Sequence, residues 1–153
     1  MVFFLTAPLV VIADQLTKLG IRTFPEGQPI FQVGFFQIVH IQNTGAAFGL
    51  FQGQSLALTI VDFVSVAIIL VLVLRFSHRF PILENMVTRI ALALVMGGTA
   101  GNLIDRLNPN LEGVTDFISL GIWPSFNLAD SAITVGIILL AYSLIFLTRT
   151  EEQ

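Results

Sequence analysis

The 153-residue chain is 55% hydrophobic and 11% charged, with a mean hydropathy of +0.88. A soluble domain carries about 25% charged residues, so the composition excludes that class and indicates an integral membrane protein. The net charge of −3 is too small and dispersed for a nucleic-acid partner, and the lack of cysteine excludes disulfides and thiolate metal sites.

This length accommodates about four spans of roughly 20 residues in a single domain covering 1–153. The first span is expected at about 2–19. Its apolar start, Met1 to Ala13, lacks a basic leader and a small-residue cleavage pattern, and Asp14 interrupts it, so it reads as a retained span rather than a signal peptide. Asp14 and Lys18 are four residues apart and share a helix face. They read as a self-neutralising pair at the end of the span, with Lys18 snorkelling to the interface.

From Thr23 to Gly53 the pattern changes. P-E-G-Q-P and Gly34 break any helix, whereas Phe35 to Ile41 is rich in aromatic and β-branched residues. Asn43-Thr44-Gly45 predicts a turn before Ala46-Ala47-Phe48. Backbone this irregular cannot cross lipid with its polar groups unsatisfied. It is expected to form a small strand-containing platform on the membrane, with its phenylalanines facing lipid or a lipidic ligand.

The second span, about 56–74, is apolar except for Asp62, to which the sequence assigns no role. Arg75, His78 and Arg79 close it, and Pro81 marks a loop. A third span at about 87–104 carries Gly97 and Gly101 four residues apart, a spacing suited to close helix packing rather than, in this chain, dimerisation. The fourth runs over about 128–147. Arg75, Arg79, Arg89 and Arg149 lie on one side, Lys18, Arg22 and Arg106 on the other. This bias places both termini in the cytoplasm.

Between Gly97 and Ala132 the acidic, amide and basic groups gather at the boundary of two apolar segments. Asp116, expected in a loop, and Asp130, expected in the first turn of the fourth span, fall at one membrane depth. Two carboxylates in contact cannot both ionise easily and share a proton. Such a pair can draw a proton from water and polarise a peptide carbonyl, with neither a nucleophilic side chain nor a metal. A structural reading competes: Asn127 suits a helix N-cap and Asp130 an acidic first turn. Arg106 could present donors to peptide carbonyls or merely pair with Asp105 or Asp116. An alternative overall reading is a small transporter or ion-conducting protein that relays protons through Asp14, Asp62, Asp105, Asp116 and Asp130.

Five motifs, in order and spanning nearly the whole chain, resemble those of the bacterial lipoprotein signal peptidase family, signal peptidase II. They are D-Q-L-T-K at Asp14–Lys18, N-T-G-A-A-F-G at Asn43–Gly49, G-N-L-I-D-R at Gly101–Arg106, V-T-D-F-I at Val114–Ile118 and F-N-L-A-D-S-A-I at Phe126–Ile133. Thr115 and Thr99 depart from the residues frequent at those positions, without removing a reacting group. The resemblance implies an α-helical polytopic membrane protein with four transmembrane helices and an extracytoplasmic β-cradle. It implies Asp116 and Asp130 as catalytic residues and Asn43, Asn102, Arg106 and Asn127 as residues of the substrate pocket. Asp14, Lys18, Gly45, Asp105 and Ala129 match supporting motif positions. The implied enzyme is an aspartic endopeptidase of the bacterial inner membrane that cleaves lipid-modified prolipoproteins just before a diacylglyceryl-cysteine. Its partners are then those substrates and membrane lipid, with no cofactor, metal, nucleic acid or obligate protein partner expected. Arg22→Lys, outside every motif, is expected to change activity little, whereas Arg106→Lys is expected to weaken substrate handling strongly.

Overall fold

The computed structural model describes residues 1–45 and 52–147. Among the described residues, four helices are long and apolar enough to cross a membrane: α1 (Val2–Ile21), α2 (Ser55–Arg75), α3 (Met86–Leu107) and α4 (Leu128–Tyr142), the last prolonged by a wide π-type turn over Ser143–Leu147. They lie where the hydropathy places them, but α1 and α3 run further than expected. The polar residues that seemed to end the spans, Lys18, Asp105 and Arg106, are paired inside the bundle and so need no loop to reach water.

The central element is α3. Its start is capped by Asn85, whose side chain accepts from the Val87 N–H at 2.8 Å. Small residues then let neighbours approach on two faces. A Cβ at Gly97 would meet the Ala7 carbonyl and Val10 of α1, and one at Gly98 would meet the Ala129 carbonyl of α4. Gly136 of α4 likewise lies against the Ala91 carbonyl of α3. The Gly97/Gly101 spacing therefore serves packing within the chain. Away from the polar end, Phe3 and Ala7 of α1, Ile69 and Val73 of α2, and Leu92 and Ala93 of α3 form an apolar cluster. Leu5, Leu9, Ile60, Phe63, Ile137 and Ile138 are among many large apolar side chains left facing outwards, as expected where the solvent is hydrocarbon.

The platform is a four-stranded antiparallel sheet in the order β1 (Pro29–Val33), β2 (Phe36–Asn43), β3 (Val114–Leu120) and β4 (Trp123–Phe126). β1 and β2 both fall within the Thr23–Gly53 region expected to form a strand-containing platform, whereas β3 and β4 lie outside it, where no strand is predicted. Gly34 and Gly121, with φ of 58° and 57°, make the tight turns of the two hairpins. The Gly121 N–H donates to the Phe35 carbonyl at 2.8 Å, bringing those turns side by side. Phe31 and Phe35 are exposed, and Phe36 is half-buried. Pairing sets Ile41 of β2 opposite Asp116 of β3 and Asn43 opposite Val114. Asp116 is thus a strand residue rather than a loop residue. The Asn43-Thr44-Gly45 turn is present, its Gly45 N–H donating to Asn43 Oδ1 at 2.9 Å. The following Ala46-Ala47-Phe48 lies outside the described residues.

Because Gly98 abuts backbone, Gly98→Val is expected to force α3 from α4 and destabilise the bundle by about 1–3 kcal/mol. Gly20 has nothing within 4 Å of its added Cβ, so Gly20→Ala is expected to preserve or slightly raise stability. Thermal unfolding in detergent, followed by circular dichroism, compares them; equal midpoints would rule out close α3–α4 packing.

Candidate active site

A buried ionic layer underlies the site. Lys18 Nζ lies 2.8 Å from Asp14 Oδ2 and 3.2 Å from Asp105 Oδ2, with all three side chains fully buried. It does not snorkel, contrary to the expectation for a residue near a span's end. A buried ammonium is tolerable only when paired and hydrogen-bonded. Lys18 spends its third donor on Asn102 Oδ1, at 2.9 Å. Asp14 Oδ1 accepts the Ala129 N–H at 3.0 Å, tying α1 to the first turn of α4. Gly101 has no side chain because the Asp14 carboxylate occupies that space.

Arg22 is the residue in this layer that the motifs did not mark. Outside every motif, it nevertheless lies 2.6 Å from Asp105 Oδ1 and donates through Nε to Thr115 Oγ1 at 2.8 Å. Thr115 is fully buried, and its N–H donates to Asp105 Oδ2 at 3.0 Å. The hydroxyl also accepts from Gln42 at 3.1 Å, so an aliphatic residue there would lose both contacts. Gln15 donates to the Gly101 carbonyl and to Asp105. The signal for Arg22 was available, since Asp14, Lys18 and Arg22 recur every four residues along one helix face.

Above this layer, amides orient two carboxylates. Asn102 Oδ1 is occupied by Lys18 and by Asn127 Nδ2 at 3.1 Å, so its Nδ2 is left to donate to Asp130 Oδ1 at 2.8 Å. Asn127 Nδ2 also donates to Asp116 Oδ1 at 2.8 Å, while Asn43 Nδ2 donates to Asp116 Oδ2 at 2.9 Å. Asn127 caps α4, its side chain accepting from the Asp130 N–H as Asp130 Oδ2 accepts from the Asn127 N–H. The capping reading and the paired-carboxylate reading are therefore compatible: the cap aims Asp130.

Asp116 and Asp130 line one cavity of about 590 Å³ together with Asn43, Gly45, Asn102 and Arg106. Its other walls include Trp123, Phe126, Ile133 and Val135. Asn127, expected on the pocket wall, is instead fully buried beneath it. Arg106 pairs with neither Asp105 nor Asp116. Its Nη1 lies 2.5 Å from Asp62 Oδ2 of α2, a residue that sequence reasoning left without a role. Burial, followed by the charge of Asp130, pushes the Asp116 carboxyl up to about 7; the amide donors Asn43 and Asn127 act in the opposite direction but do not prevail. Among the described residues no three His, Asp or Glu side chains form a metal-ligating cluster.

Comparison with known proteins assigns the chain. A family model described as signal peptidase (SPase) II matches residues 6–146. A lipoprotein signal peptidase of Dehalococcoides mccartyi is 43% identical over 99% of this chain and 92% of its own length. That of Moorella thermoacetica is 40% identical over 95% and 93%. A solved bacterial membrane enzyme superposes with a TM-score of 0.83 at 30% identity, covering 99% of this chain and 90% of that one. A second gives 0.79 at 31% identity, over 94% and 92%. These matches displace the transporter alternative: the chain is a multi-pass membrane peptidase and belongs to the signal peptidase II family.

Proposed function

We propose that Asp116 and Asp130 are the acid–base pair with which this peptidase removes the signal peptide from diacylglyceryl-modified prolipoproteins, at the extracytoplasmic face of the bacterial inner membrane. The observation that carries this reading is the placement of both carboxylates on one cavity, with the Asp116 carboxyl raised to about 7. At neutral pH and below, the pair then holds a proton on Asp116. Asp130 lies in the first turn of α4, held by the capping box with Asn127.

Asp130 takes a proton from water as the water oxygen attacks the scissile carbonyl, and Asp116 donates its proton to the carbonyl oxygen. Collapse of the gem-diol intermediate breaks the C–N bond: the proton gained by Asp130 passes to the departing cysteine amine, and one gem-diol hydroxyl returns its proton to Asp116 as the new carboxylic acid forms, restoring the starting pair. Asn43, Asn102 and Arg106 supply donors around the peptide. Trp123, Phe126, Ile133 and Val135 give the lipid-bearing side of the substrate an apolar wall. Asn127 acts from below, by holding Asp116 and capping the helix that carries Asp130.

Asp116→Asn and Asp130→Asn are each expected to lower cleavage of a lipidated preprotein by at least about 10³-fold, with insertion retained. Substantial turnover by either purified variant would remove that residue from the mechanism.

The proton on Asp116 also sets the pH dependence. As pH rises through about 7 the pair loses it, so kcat/KM is expected to fall on the alkaline side. Stability follows the same proton. The unfolded carboxyl ionises near 3.8 and the folded one near 7, so the folded chain binds the extra proton in between and wild-type stability declines with rising pH over that window. Asp116→Asn is expected to lack that decline, which thermal unfolding at pH 4.5 and 8 would show.

The sidedness is tested with single cysteines introduced into this cysteine-free chain. Gln37→Cys on β2 is expected to react with an impermeant thiol reagent applied from outside, and His78→Cys only after permeabilisation. The reverse pattern would invert the topology.

A further inference from the structure

The Asp62–Arg106 pair is unexplained by the peptidase chemistry above. Asp62 is an acid within an otherwise apolar span, flanked by the outward-facing Ile60, Val61, Phe63 and Val64. A charge there is costly and persists only with a partner. Its partner is a wall residue of the cavity, since Arg106 lines the same space as Asp116 and Asp130. Both members of the pair are largely shielded, at 17% and 10% side-chain exposure, so the attraction is weakly screened. Asp62 also lies near enough to Asp130 for their charges to repel.

Resting on the assignment of Asp116 and Asp130 as the reacting pair, we propose that Asp62 is a positioning residue that holds the Arg106 guanidinium away from the two carboxylates and neutralises it there. Arg106 is one helical turn beyond Asn102, which already donates to Asp130. A guanidinium freed from Asp62 has the carboxylates of Asp116 and Asp130, which line the same cavity, as alternative anions. Were it to pair there, the proton shared by the dyad would be lost and the attacking water displaced. Held by Asp62, Arg106 spends one donor on α2 and keeps others for peptide carbonyls. The remaining charges near the site are already committed. Lys18 of α1 is paired with Asp14 and Asp105, and Arg22 with Asp105. The balance at the cavity is set by Asp62 of α2, Arg106 of α3, Asp116 of β3 and Asp130 of α4, with the charge of Lys18 from the layer beneath still favouring ionisation of Asp116.

The test reads the dyad's proton directly and does not depend on turnover. In full-length detergent-solubilised enzyme, the infrared carbonyl band of protonated Asp116 is identified by its loss in Asp116→Asn and titrated with pH. Asp62→Asn leaves the Arg106 charge uncompensated, so the titration is expected to move down by about one pH unit. Arg106→Gln leaves Asp62 uncompensated and is expected to move it up by a similar amount. The double variant should return it towards wild type, and Asp62→Glu should hold it near wild type. The alkaline limb of kcat/KM on a diacylglyceryl-modified prolipoprotein should follow the band in Asp62→Asn.

A pair that merely tethers α2 to α3 would lower the unfolding temperature without moving the titration in either direction, and that result overturns the proposal. If Asp62→Asn does not fold, Arg106→Gln carries the test alone, and an unmoved band again overturns it. A band that shifts as expected while kcat/KM does not follow supports the counter-ion role and overturns instead the assignment of Asp116 to the reaction.

Discussion

The site depends on one buried ammonium. Lys18 Nζ contacts Asp14, Asp105 and Asn102, and so joins α1 to α3 at the level where the bundle meets the sheet. Removing it would leave carboxylates buried without their cation, which typically costs about 3–5 kcal/mol. Its functional consequence is finer than stability. By occupying Asn102 Oδ1, Lys18 decides which end of that amide faces Asp130. Asn127, whose own Nδ2 reaches both Asn102 and Asp116, carries the same orientation to the second carboxylate. One cation thus orients both acids without touching either.

This arrangement separates two electrostatic tasks. In the lower layer, Asp14 and Asp105 are balanced by Lys18 and Arg22, and every charge has a partner. In the cavity, Asp116 and Asp130 receive neutral amide donors in place of cations. A direct lysine or arginine would favour two ionised acids and abolish the shared proton. Amides orient a carboxylate while leaving its charge largely uncompensated, so burial and mutual repulsion can keep Asp116 protonated to about pH 7. The capping box adds economy, because the contacts that begin α4 also direct Asp130 into the cavity.

The fold supplies this geometry by mixing two kinds of support. Helices α3 and α4 pack closely through Gly98 and Gly136, which holds Asn102 and Asp130 together. Asp116 and Asn43 come from neighbouring strands, and Gly113 allows the β3 approach because the Asn43 carbonyl fills the place of its side chain. Asp116 is therefore carried by a sheet and Asp130 by a helix. The buried contacts of Thr115 with Asp105 and Arg22 lock the sheet to the bundle beneath them.

Much was legible in the sequence. Hydropathy located the four spans, because about 20 apolar residues are what a helix needs to cross hydrocarbon. Resemblance to the signal peptidase II motifs singled out Asp116, Asp130, Asn43, Asn102, Arg106 and Asn127, of which all but Asn127 line one cavity. β3 and β4 were not legible, since β3 takes its place by pairing with the distant β2 and β4 only completes its hairpin. Nor were the partners of the charges. Local spacing offered Lys18 to the interface, Arg22 to no partner and Arg106 to Asp105 or Asp116, whereas packing brought Lys18 and Arg22 to Asp105 and Arg106 to Asp62. A sequence displays the cost of placing a charge in an apolar span; which distant group offsets that cost is decided only when the helices pack.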